Sequence, residues 1–122
     1  MNILKKLTAL EVEAARFGFK WEESEQILQQ IRSELTEIEE HLNDQHSAKL
    51  QEEIGDLIHA AFSLCVFYQF DPEETLEKSV NKFERRFKTV EQLAKQKGLT
   101  TLNGKSFKEL MDFWDKAKEI VK

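Results

Sequence analysis

Two carboxylate pairs at i, i+3 spacing, Glu34-Leu35-Thr36-Glu37 and Glu53-Ile54-Gly55-Asp56, are the residues of this sequence whose types and spacing best support chemistry. Each helical step turns about 100°, so both members of each pair fall to one side of their helix's apolar stripe, at about 60° and 120° from it. The stripe is Ile31, Leu35, Ile38 and Leu42 for the first pair and Leu50, Ile54, Leu57, Ala61 and Leu64 for the second. Packing the two stripes together brings four carboxylates to one edge of a helical core. Adjacent negative charges repel unless a cation lies between them, and oxygen ligands select a hard divalent ion. Lys49, one turn before Glu53 and on the same side, places an ammonium beside that ion. Further on, Lys78, Lys82 and Arg86 recur at four-residue spacing, with Arg86 nearer the apolar edge than Arg85. These groups meet the needs of a triphosphate site: Mg²⁺, with Mn²⁺ as a substitute, takes a few protein carboxylates plus phosphate oxygens, and basic side chains hold the remaining phosphates. Trp114 offers a flat face to a base, although its spacing with Leu110 and Ala117 also suits a core position.

The elements that must position these residues are all helical. Ile3, Leu7, Leu10, Ala14 and Phe17 mark a first amphipathic helix that stops near Gly18. A connector to Glu23 follows, with Phe19 and Trp21 as apolar anchors, and Ser24 is the expected N-cap of a second helix running to about Asn43. The third helix, Ala48 to Tyr68, carries Glu53 and Asp56. Gly55 inside it costs about 1 kcal/mol of helix propensity, which implies close approach of another backbone or a ligand. Beyond Ile58 this helix is apolar nearly all round, so a partner surface is expected over Ala60 to Tyr68, in another helix or a second subunit. Asp71-Pro72-Glu73-Glu74 opens a fourth helix with Leu76, Val80, Phe83, Phe87 and Val90 as its stripe, stopping at Gly98. After a loop over Leu99 to Lys105, Ser106 and Glu109 form a capping box for the last helix. The fold expected is an all-α bundle of about five helices in one domain, residues 1–122, completed by assembly into a homodimer or a dimer of dimers.

Composition narrows the function. A net charge of -5 argues against a nucleic-acid binder. The alternation of charged and apolar residues over Met1 to Phe17, and the shortness of the apolar run near Phe62, argue against a signal peptide and a membrane span, giving a cytoplasmic expectation. The lone Cys65 reads as a buried structural thiol, and His41, His46 and His59 form no triad with a serine. Two rival readings stay open. Asp56-Leu57-Ile58-His59 imitates half of a dinuclear iron or manganese carboxylate motif, without a second copy. A purely structural helical module, with its charges serving only solvation, is the other.

The sequence also resembles the MazG-type nucleoside triphosphate pyrophosphohydrolases of the all-α superfamily that includes dimeric dUTPases and phosphoribosyl-ATP pyrophosphohydrolases. The resemblance runs from Gly18-Phe19-Lys20-Trp21 through the two carboxylate pairs and Lys49 to Lys82-Phe83-Glu84-Arg85-Arg86-Phe87 and Trp114. It implies Glu34, Glu37, Glu53 and Asp56 as magnesium ligands, Lys49, Lys82 and Arg86 as phosphate contacts, and Trp114 as the base-side residue. It further implies hydrolysis of a nucleoside triphosphate to monophosphate and pyrophosphate by a metal-activated water, with Glu37 or Glu53 as general base. Ser63 stands where many relatives have Asn, and Val80 where Asn is expected, with Asn81 one place later. These departures touch substrate preference.

Overall fold

The computed structural model describes residues 2–43 and 47–122, so the segment containing His46 lies outside the described residues. Five helices follow one another: α1 (Ile3–Phe17), α2 (Ser24–Glu40), α3 (Ala48–Phe67), α4 (Pro72–Gln96) and α5 (Phe107–Ile120), with no strand among the described residues. The all-α expectation is met. None of these helices is long and apolar enough to cross a membrane.

Local chemistry fixes the helix ends. The Asn2 side chain accepts from the backbone N–H of Leu4 at 2.7 Å to start α1, and Gly18, at φ 101°, ends it in the left-handed region that glycine tolerates. The cap of α2 is Glu23, one residue before the expected Ser24; Gln26 Oε1 reaches back to accept from the backbone of Glu22 at 2.8 Å and Glu23 at 3.1 Å. This glutamine satisfies the amide groups at the entry to the helix, ahead of Ser24. α2 also ends at Glu40 rather than near Asn43, with turn residues following. Asp71 Oδ2 caps α4 at Glu74 N (2.9 Å), and the Ser106–Glu109 capping box forms as expected.

The chain divides into two units, Met1–Thr75 and Leu76–Lys122. In the first, α2 and α3 pack extensively and α1 touches α3. The expected apolar stripes are covered only in part, with Ile31, Ile38, Leu50, Leu57 and Leu64 half-buried. Glu53, Ala60 and Ser63 are buried on α3, and Ile27 and Glu34 on α2, whereas Leu35, Ile54 and Ile58 stay 44%, 42% and 51% exposed. The helices therefore meet along the carboxylate side of each stripe. Phe19 is exposed rather than an anchor of the connector, and Cys65 is half-buried rather than buried. A Cβ at Gly55 would meet nothing within 4 Å, so no backbone of the described residues explains that glycine. The apolar stretch after Ile58 is mostly half-buried, with Ala60 and Ser63 covered and Tyr68 exposed.

In the second unit, Phe83 lies 5.7 Å from Trp114 and stacks on Phe87 at 6.2 Å between ring centres. Lys97 Nζ sits 5.3 Å over the Phe113 ring, a cation–π contact joining α4 to α5.

Candidate active site

One turn separates Glu34 from Glu37 on α2, and the α2–α3 packing brings Glu53 to both. The three carboxylates each offer an oxygen within 4.8 Å of the others. Gln30 Nε2 donates to Glu34 Oε1 at 2.7 Å, which orients that side chain. Glu34 Oε2 is buried with no hydrogen-bond partner. A buried carboxylate oxygen left unpaired costs free energy unless something positive completes its surroundings. The donor set is all oxygen, partly buried and convergent, which fits a hard divalent cation held by Glu34, Glu37 and Glu53. Asp56, the fourth expected ligand, is exposed and stands outside this trio, although it lines the same cavity as Glu34.

Electrostatics record the crowding. Its hydrogen bond with Glu53, then repulsion from Glu53 and Glu34, pushes the Glu37 carboxyl up from its ordinary 4.5 to about 7. The same hydrogen bond holds Glu53 below its usual range, against its burial and with help from Lys49. The crowding thus favours a proton on Glu37 and a charged Glu53. Lys49 Nζ lies 3.5 Å from Glu53 Oε1 and 3.8 Å from Glu52 Oε2, placing the ammonium where the spacing put it. Attraction to Glu52, then to Glu53, raises its pKa and keeps it charged.

The other expected contacts belong to the second unit. Arg86 is half-buried and its Nε donates to the Val121 carbonyl at 2.9 Å, whereas Arg85 and Lys82 are exposed. Trp114 is half-buried against Phe83, which meets the core position its spacing allowed.

Sequence reasoning passed over a polar cluster on the first unit. The Ser63 hydroxyl donates to Glu11 Oε1, and His59 Nε2–H donates to the same oxygen at 3.2 Å. Glu11 stands 48 residues from His59 and 52 from Ser63, so only the packing of α1 on α3 joins them. His59 is thereby committed to Glu11 and is not a member of the acidic trio. The link from Gln30 to Glu34 was also passed over, yet its i, i+4 spacing on one helix made it readable.

Residues 22–91 match the profile of the MazG nucleotide pyrophosphohydrolase domain, a span that contains both carboxylate pairs, Lys49, Lys82 and Arg86. The chain is 35% identical over 109 residues to the nucleoside triphosphate pyrophosphohydrolase/pyrophosphatase MazG of Thermotoga maritima, covering 89% of this chain and 41% of that protein. It is 29% identical over 119 residues to the nucleoside triphosphate pyrophosphohydrolase of Escherichia coli K12, covering 94% of this chain and 44% of that one. The chain thus spans less than half the length of these relatives. On the profile match over most of its helical core, the chain belongs to the MazG nucleotide pyrophosphohydrolase family.

Proposed function

We propose that this chain hydrolyses nucleoside triphosphates between the α- and β-phosphates, releasing a monophosphate and pyrophosphate, with Mg²⁺ held by Glu34, Glu37, Glu53 and Asp56. The observation that carries the reading is the convergent trio with the unpaired, buried Glu34 Oε2, in a chain whose family is named for this chemistry. The cation, when bound, supplies Lewis-acid polarisation of the phosphates and a lowered pKa for an attacking water. Gln30 fixes the Glu34 carboxylate, so that its free oxygen is pre-aimed and little ordering remains to be done on binding. Glu37 or Glu53 is the proposed general base for the attacking water. Lys49, already charged beside Glu53, offsets negative charge on the phosphates, and Lys82 and Arg86 are proposed to do so as well. Trp114 is proposed, as the resemblance implies, to offer its flat face to the base.

A homodimer or dimer of dimers accompanies this reading. What supports it is the exposed apolar run Leu35, Ile54 and Ile58 on the first unit, and Leu76, Val80, Phe83 and Phe87 at 4-3-4 spacing on α4, all at least 42% exposed. Apolar side chains at that spacing form the seam along which helices pair. The dinuclear rival loses its histidine, which is bonded to Glu11.

The deciding measurement is a panel of nucleoside triphosphates incubated with the purified chain and Mg²⁺ or Mn²⁺, with monophosphate and pyrophosphate quantified. Equimolar monophosphate and pyrophosphate is the expected result. Release of inorganic phosphate and a nucleoside diphosphate would refute the bond assigned, and no turnover of any triphosphate would refute the reading.

A further inference from the structure

The acidic trio does not stand alone in the first unit. A cavity of about 1420 Å³ runs between α1, α2 and α3, lined mostly by apolar side chains, with Glu34 and Asp56 among its walls. Glu11, His59 and Ser63 line it too. Ser63 lies two turns beyond Asp56 on α3, about 10 Å at 1.5 Å per residue, comparable with the reach of a nucleoside from its α-phosphate to the edge of its base.

Glu11 is held in a particular way. Both of its hydrogen bonds, from Ser63 and from His59 Nε2–H, end on Oε1. A carboxylate has about four acceptor positions, so Oε2 keeps its capacity for a ligand while the side chain itself is fixed from α3. The Ser63 hydroxyl is buried and its one proton is engaged, so it contributes position rather than a further donor. Trp21 supplies a flat wall to the same cavity.

We propose that Glu11 is the specificity-determining residue of this enzyme, reading the edge of the substrate's base and selecting bases that carry an exocyclic amino group. This rests on the nucleotide reading of the acidic trio. Cytosine, adenine and guanine each present N–H₂ donors, which a fixed carboxylate oxygen accepts; uracil and thymine present carbonyl oxygens at the corresponding positions and are repelled. That mismatch leaves two acceptors facing each other. Selection of roughly tenfold or more follows, because sites built to hydrogen-bond one group reject analogues lacking it strongly. Ser63 and His59 act as positioning residues.

The test compares CTP with UTP, and dCTP with dTTP, by kcat/KM for pyrophosphate release, and CMP with UMP by calorimetric binding. The native chain is expected to favour the cytosine member at least about tenfold. Glu11→Gln, whose amide can donate to a carbonyl, is expected to bring that ratio close to one. His59→Ala, at an exposed position where folding is safe, is expected to reduce the ratio about threefold by loosening Glu11. Equal use of CTP and UTP by the native chain overturns the proposal. So does a Glu11→Gln variant that slows both substrates alike, or one whose change is in sedimentation rather than in selectivity. If no triphosphate is hydrolysed yet CMP still binds over UMP and Glu11→Gln abolishes that preference, the base assignment stands and the hydrolytic reading falls; absence of binding as well overturns both.

Discussion

Proton competition at the acidic trio gives a quantitative expectation for metal binding. With the Glu37 carboxyl at about 7 in the metal-free protein, about one tenth of the sites have it deprotonated at pH 6 and about nine tenths at pH 8. A cation must displace that proton, so its dissociation constant is expected to tighten about tenfold between pH 6 and pH 8, with about 0.9 proton released per ion at pH 6 and about 0.1 at pH 8. Calorimetric titration with Mg²⁺ or Mn²⁺ in two buffers of different ionisation enthalpy counts those protons directly. Glu37→Gln removes the titrating group while keeping its shape, so the affinity should weaken and its slope between pH 6 and pH 8 should disappear. The same group sets the stability of the metal-free chain. From the ordinary 4.5 up to about 7 the folded state holds a proton that the unfolded state has released, so stability is fully present below 4.5 and is lost as pH rises through 7. The melting temperature without metal should therefore fall across that window, and Glu37→Gln should flatten it. Metal binding at pH 6 without proton uptake by the buffer, or an unchanged slope in Glu37→Gln, would show that the Glu37–Glu53 proton is not where the geometry puts it.

Four further outcomes are expected. Glu53→Gln should abolish pyrophosphate release while leaving the far-ultraviolet circular dichroism and metal-free melting close to native, since it removes one repelling charge and keeps the side-chain volume; undiminished turnover would sink the metal assignment. Arg86→Ala should lower kcat/KM by about 30-fold, roughly 2 kcal/mol for a charge-assisted phosphate contact, and Arg85→Ala should change it little; equal effects would remove the role proposed for Arg86. Because Arg86 Nε also donates to Val121, its replacement should cost about 1 kcal/mol of stability, so activities are compared well below the melting point. Gly55→Ala should raise stability by about 1 kcal/mol of helix propensity, seen as a higher melting temperature, since its Cβ meets nothing; loss of activity in that stabler variant would show that a ligand or second copy approaches there. Sedimentation equilibrium should find an oligomer that Ile58→Glu or Phe62→Glu weakens, and a monomer at all micromolar concentrations would eliminate the assembly.

What the sequence by itself determined were the features with local causes. Helix ends follow from residues next to them in the chain: Gly18 in a left-handed conformation, Asp71 before Pro72, Ser106 with Glu109. The link between Lys49 and Glu53 was legible for the same reason, because an i, i+4 spacing on one helix fixes the neighbours. Matched phase implies convergence of all four carboxylates, and the packing of α2 on α3 brings Glu34, Glu37 and Glu53 together while Asp56 stays outside. Which side of each apolar stripe is buried was not legible. A helical wheel gives the angle between Ile54 and Glu53 but not the rotation at which the neighbouring helix docks, and here docking covers Glu53 and leaves Ile54 exposed. The Glu11–His59–Ser63 cluster was equally out of reach, since its members come from helices far apart in the chain and no spacing rule connects them. Only tertiary structure decided that contact, because the free energy that sets it is the packing of whole helix faces, to which any one residue contributes little.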